Sequence, residues 1–222
     1  MFVRSIVFSL FTMVIALSAT PSSADALKQQ QIVDNATVTL REFTADPDLT
    51  WFRDNVKDAK GLMIFPRSVK GGLIWGGSGG NGILVGRRAD GWSYPAFYTT
   101  GSLTFGLQAG VEVSEIVLMV MTERGLDALF TTDVKLGGDI SVAAGPVGVG
   151  AKAQTADILA FVRSKGLYGG INLEGTVVKP RKNWNRRYYG KQVRASEIIR
   201  GNSVKRTGVG KLFQALNDIN RL

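Results

Sequence analysis

All 27 glycines of this 222-residue chain lie between Gly61 and Gly210, and that placement restricts the fold more than any other feature. A glycine inside a helix costs about 0.5–1 kcal/mol relative to alanine, so a segment punctuated by glycine every few residues cannot be a stack of long helices. In strands the same residue permits turns, bulges, coiling and close backbone approach. The chain is therefore expected to divide into a helical front and a glycine-rich β body.

In the glycine-free front, Ile32, Ala36, Leu40 and Phe43 recur at helical spacing and share one face. Asp25 stands near the start as an N-cap, and Asp46-Pro47 ends the helix. A second short helix is expected over 48–60, with Leu49, Phe52, Val56 and Ala59 as its apolar stripe and Gly61 as its stop. Strands are expected at 62–65, 73–75, 83–85, 96–105, 115–121, 140–149 and 171–178. The gaps between them are of hairpin length and favour antiparallel pairing. Helices are expected at 123–130, capped by Thr122, and at 157–164, where a strand is the competing reading. Two more short helices follow at 196–200 and 209–219. The fold class is α+β: a glycine-rich, mainly antiparallel, curved or barrel-like β-sheet with helices at both ends.

Cysteine and histidine are both absent. Disulfides, Ser-His and Cys-His nucleophiles, ordinary zinc sites and imidazole acid–base chemistry are thereby excluded, and no metal or cofactor is expected. The first residues read as a secretory signal: Arg4, an apolar run over 6–17, and small residues Ser22-Ser23-Ala24 for cleavage. The run is shorter than the roughly 20 residues that span a bilayer. The expected organisation is a signal peptide over 1–24, one domain over 25–201, and a short C-terminal helical extension over 202–222. The mature product is expected to be exported, periplasmic or extracellular.

Two motifs invite catalytic or cofactor readings. Gly77 to Gly82 satisfies G-x-G-x-x-G, but the apolar stretch Ile83-Leu84-Val85 follows where a phosphate-binding helix would have to start, so a glycine hairpin between two strands is expected. Ser78 sits in a G-x-S-x-G context with no histidine to activate it. Glu112 and Glu115 are the pair of carboxylates that glycosidic chemistry could use. A non-enzymatic binding protein is the expected class.

Charge points to the partner. Residues 25–175 carry 14 Lys/Arg against 16 Asp/Glu, whereas residues 176–222 carry 12 against 2. Lys179, Arg181, Lys182, Arg186, Arg187, Lys191 and Arg194 fall in an acid-free stretch with Trp184, Tyr188 and Tyr189. Cations interleaved with amphipathic rings suit a phosphate-bearing interface, each basic group contributing on the order of 1 kcal/mol at an anionic surface. The apolar face of the first helix, through Ile32, Leu40 and Phe43, is the second candidate for membrane contact. Export argues against nucleic acid as the partner.

The order of the motifs resembles the SYLF family of lipid-binding domains. The resemblance rests on Leu40-Arg41-Glu42-Phe43-Thr44, Ala59-Lys60-Gly61-Leu62, Gly79 to Val85, Trp92-Ser93-Tyr94-Pro95, Gly106 to Glu112, Leu136-Gly137-Gly138 and Ala144 to Gly148. It continues through Ser164 to Gly170, Leu173-Glu174-Gly175, Asn185 to Gly190 and Ile198 to Gly201. The resemblance implies binding of phosphoinositide-containing membranes through an N-terminal amphipathic helix and a basic surface, and, for some fungal relatives, association with actin. For an exported chain, anionic phospholipid of the envelope takes the place of phosphoinositide. The alternative is an envelope scaffold that binds another protein or glycan through the same surface.

Overall fold

The computed structural model describes residues 23–72, 75–105, 110–147, 155–164, 167–168 and 173–219. Most of the expected signal segment lies outside them. Helix α1 (Ser23–Ala45) stops at Asp46, whose carboxylate accepts from the Asp48 N–H at 2.9 Å and caps a 3-10 turn, Pro47–Leu49. The expected second helix is α2 (Thr50–Asn55) followed by another 3-10 turn, Val56–Asp58. The body then runs β1 (Gly61–Gly72), β2 (Trp75–Arg88), β3 (Gly91–Trp92), β4 (Ala96–Phe105), β5 (Gly110–Val120) and α3 (Glu123–Ala128). After these come β6 (Val134–Lys135), β7 (Val142–Ala144), β8 (Ile158–Ser164), β9 (Leu167–Tyr168) and β10 (Val177–Pro180). Helices α4 (Lys182–Tyr189), α5 (Ala195–Ile199) and α6 (Gly210–Ile219) close the chain.

The sheet has the order β6-β10-β4-β2-β1-β5-β8-β7, with β3 beside β2 and β9 beside β8. Among the described strands only β7 and β8 pair in parallel, and the sheet curls into a half-barrel with helices from both ends of the chain. Both faces are covered. Alternate side chains of each strand point to opposite faces, so Leu62 and Ile64 join Val117 and Met119 beneath α1, α2, α4 and α6, while Met63 and Phe65 join Leu118 beneath α3 and α5. Each such large side chain, buried completely, contributes about 1.5–3 kcal/mol.

One irregularity sets the geometry of the α1 side. Ile64 pairs with Ile83 and Arg67 with Asn81, so one extra residue sits in β1 opposite β2; the same slip occurs against β5, between Phe65 and Ser68. Pro66 occupies this bulge, the place in a central strand where a residue without an N–H is tolerated. Gly82 makes the room: a Cβ there would lie 2.2 Å from the Ile64 carbonyl oxygen. The extra residue reverses the alternation, and Arg67 emerges on the same side as Ile64.

Several expectations need correction. The glycine run 76–82 is neither hairpin nor phosphate loop: it lies inside β2, paired residue by residue with β1 and β4. Leu73 and Ile74 lie outside the described residues. Residues 158–164 form a strand, because the run is buried from Ile158 to Val162 and its backbone pairs with β5. The strand expected over 140–149 is reduced to β7 and a single bridge from Ile140 to Leu136, with 148–149 outside the described residues. The strand expected at 171–178 is β10, shifted towards Pro180, with residues 171–172 undescribed. Helix α6 inserts Leu212, Leu216 and Ile219 into the same core as α1.

Candidate functional site

The basic aromatic stretch folds into β10, α4 and the start of α5. The inner side of helix α4 is aromatic, with Tyr188 in the core and Trp184 and Tyr189 packed against it, and hydrogen bonds fix it in place. The side chain of Asn185, fully buried, accepts from the Phe97 N–H at 2.8 Å, and the Arg181 N–H donates to the Phe97 carbonyl at 2.8 Å. Both backbone groups of one β4 residue are thus tied to this helix. One turn later Tyr188 is fully buried, packs edge-on against Phe97 with centroids 4.9 Å apart, and donates its hydroxyl to Gln30 of α1 at 2.8 Å. Burial pushes that hydroxyl up to about 12. Tyr189 donates to the Pro95 carbonyl at 2.6 Å, and burial raises its pKa too. Gly190, in the left-handed region at φ 69°, ends the helix.

Residues three and four apart share a helix face. With Asn185 and Tyr188 turned inward, Lys182, Arg186 and Arg187 are exposed. Trp184 is half-buried and packs against the core. The guanidinium of Arg181 stacks 3.6 Å from its ring centroid, and Lys28 of α1 sits 5.9 Å from it. Arg181 also donates to Asn81 of β2 at 2.6 Å. Burial, then the nearby Arg187 charge, lowers its pKa.

The remaining expected contacts divide. Lys179 is exposed but faces Asp133 at 3.2 Å. The ammonium of Lys191 donates to the Ser203 carbonyl at 2.5 Å, and Arg194 pairs with Glu197 at 2.9 Å. Tyr188 is a core residue, which removes it from any lipid-contacting set. Leu40 and Phe43 are likewise fully buried and Ile32 half-buried, so the apolar face of α1 is spent on the protein's own core, correcting its reading as a membrane face. No described helix is long and apolar enough to cross a membrane.

Glu112 and Glu115 do not form a catalytic pair. They are three residues apart on one strand and so point to opposite faces; Glu112 accepts from Ser164 at 2.6 Å, while Glu115 accepts from Thr39 at 2.7 Å and from Arg163. Arg163 also pairs with Glu42 of α1. Ser78 hydrogen-bonds Ser102 across the ladder at 2.7 Å.

Sequence reasoning missed Lys28, Asn81 and Asn185. Tertiary packing brings the first two to α4, and nothing in the local sequence marks them. Asn185 stood in the sequence only as the first residue of the Asn185 to Gly190 motif, with no role attached.

Residues 101–219 match the family model described as Las17-binding protein actin regulator, Ysc84. The chain is 33% identical over 190 residues to SH3 domain-containing YSC84-like protein 1 of Homo sapiens, covering 80% of this chain and 55% of that protein. It is 34% identical over 173 residues to LAS seventeen-binding protein 3 of Saccharomyces cerevisiae (strain ATCC 204508 / S288c), covering 73% of this chain and 37% of that one. It therefore spans about half or less of the length of these relatives, and with this order of helices around a glycine-rich sheet the chain belongs to the Ysc84 (SYLF) family.

Proposed function

We propose that this chain binds anionic phospholipid surfaces peripherally and without catalysis, through the outward side of α4. The observation that carries this reading is the division of that helix. Its inner side is locked to β4 and α1, while Lys182, Arg186 and Arg187 are exposed and Arg181 stacks on Trp184. A rigid base lets several cations meet phosphate together with little loss of backbone freedom on binding. In this reading residues 1–24 direct export, and the surface met is the envelope bilayer.

The test is sedimentation with vesicles. The full chain should pellet with phosphatidylglycerol-containing vesicles and not with phosphatidylcholine alone. Binding should fade between 0.1 M and 1 M salt as the Debye length falls from about 10 Å to about 3 Å. Equal recovery on neutral vesicles would remove the electrostatic basis. A second reading has its own support, since a yeast relative is named for binding LAS seventeen. Under it α4 engages a protein, and crosslinking should capture one specific partner while anionic vesicles leave the chain in the supernatant.

A further inference from the structure

Away from α4, between α1 and the outer halves of β1 and β5, the fold leaves a cleft of about 490 Å³. Ligand pockets commonly fall between about 300 and 1,000 Å³. Its two walls carry exposed valines, Val38 on α1 and Val113 on β5, 54% and 43% accessible respectively. Asn35 lies one helical turn from Val38 on the same rim. Arg67, itself exposed, also lines the cleft, on this side of the sheet because of the bulge at Pro66.

The charges in the cleft are unevenly matched. Glu115 already accepts from Thr39 and Arg163, and Arg163 is shared with Glu42. Arg67 has no carboxylate within ion-pair distance among the described residues. Its nearest cross-strand neighbour is Asn81, whose amide oxygen is taken by Arg181. A guanidinium without a carboxylate, beside two aliphatic side chains open to water, suits a ligand with one anionic end and one apolar end.

We propose that this cleft binds a small amphipathic anion, with its carboxylate or phosphate head on Arg67 and Asn35 and its aliphatic tail between Val38 and Val113. The site is separate from the α4 surface, shares none of its exposed cations and does not depend on the membrane reading. It also gives the bulge a use: in unbroken alternation along β1, Arg67 would project from the face opposite Ile64.

Calorimetric titration of the full chain with decanoate, decyl phosphate and decanol, each below its micelle-forming concentration, tests the site. Both anions should bind, the tighter one identifying the head, and decanol should bind at least about tenfold more weakly. Arg67→Gln should reduce decanoate to the level of the alcohol, whereas Arg67→Lys should retain all but a few-fold of the affinity. Val113→Thr should weaken both anions about threefold with no change in the melting temperature. Lys182→Gln with Arg186→Gln should leave decanoate binding intact even where vesicle sedimentation is lost, which separates this site from the α4 surface. Equal affinity for decanol and decanoate, an unaltered constant in Arg67→Gln, or no heat with any probe would overturn the assignment.

Discussion

Helices α1 and α4 both invite a membrane reading from sequence, and they use their side chains in opposite ways. The apolar residues of α1 are regularly spaced, and the fold buries them: Ala36, Leu40 and Phe43 are inaccessible to solvent. Helix α4 turns rings and one amide inward instead of aliphatic side chains. It is anchored by an amide, a phenol and an indole, which leaves its cations outside. An amphipathic helix next to a sheet satisfies its apolar face at home, so surface chemistry has to be sought where charge is left over rather than where hydrophobicity is periodic.

The sharpest way to break this contrast is Phe43→Ala. Phe43 packs against Phe52 with centroids 6.3 Å apart in the closed core, so unfolding free energy should fall by about 3–5 kcal/mol in a denaturant titration. Were α1 instead a membrane face, the folded protein would keep its stability and lose vesicle binding. Next in size, Lys182→Gln combined with Arg186→Gln should cost about 2 kcal/mol of vesicle partitioning, roughly 30-fold, with the melting temperature unmoved. A fall in melting temperature comparable to that of Phe43→Ala would mean these side chains are structural.

Tyr188→Phe should cost about 1 kcal/mol of stability by leaving the Gln30 oxygen without its donor. The same residue contributes to the alkaline limb. Its hydroxyl ionises at about 12 in the folded chain and at about 10 when unfolded, so the protonated form is favoured by folding. That contribution is complete below pH 10 and disappears as pH rises from 10 to 12, so the unfolding midpoint should drop across that interval and drop less in Tyr188→Phe. Tyr98 and Tyr189, both raised by burial, add to the decline from pH 10 and extend it to higher pH. The smallest effect is expected at Lys179→Gln, where an exposed pair with Asp133 is worth no more than about 0.5 kcal/mol and vesicle binding should stay within twofold.

The sequence revealed elements wherever local chemistry and tertiary structure agreed. The periodicity of α1, the Asp46-Pro47 stop and the Thr122 cap of α3, whose hydroxyl accepts from the Gly125 N–H at 2.9 Å, are all local signals. It misled where pairing overrode propensity. Glycines 76, 77, 79, 80 and 82 read as a turn because they lack β-favouring side chains, yet a central strand flanked on both sides is held by its ladder alone. The run from Ile158 to Val162 is apolar without alternation because both faces of β8 are covered, and such a run does not distinguish strand from buried helix. At the candidate site the cations were legible as an acid-free run. Their separation into exposed Lys182 and Arg186, paired Lys179 and Arg194, and stacked Arg181 was not, because Asp133, Asn81 and the core rings come from distant segments.

Among the described residues, the outermost strands of the sheet, β6 and β7, are two and three residues long. An edge this brief offers few free amides for another chain to zip onto. Under the proposed membrane role, molecules crowded side by side on a two-dimensional surface would have little template for stacking into fibrils. A protein built to accumulate where its local concentration far exceeds that in solution could keep many copies individually folded by this means.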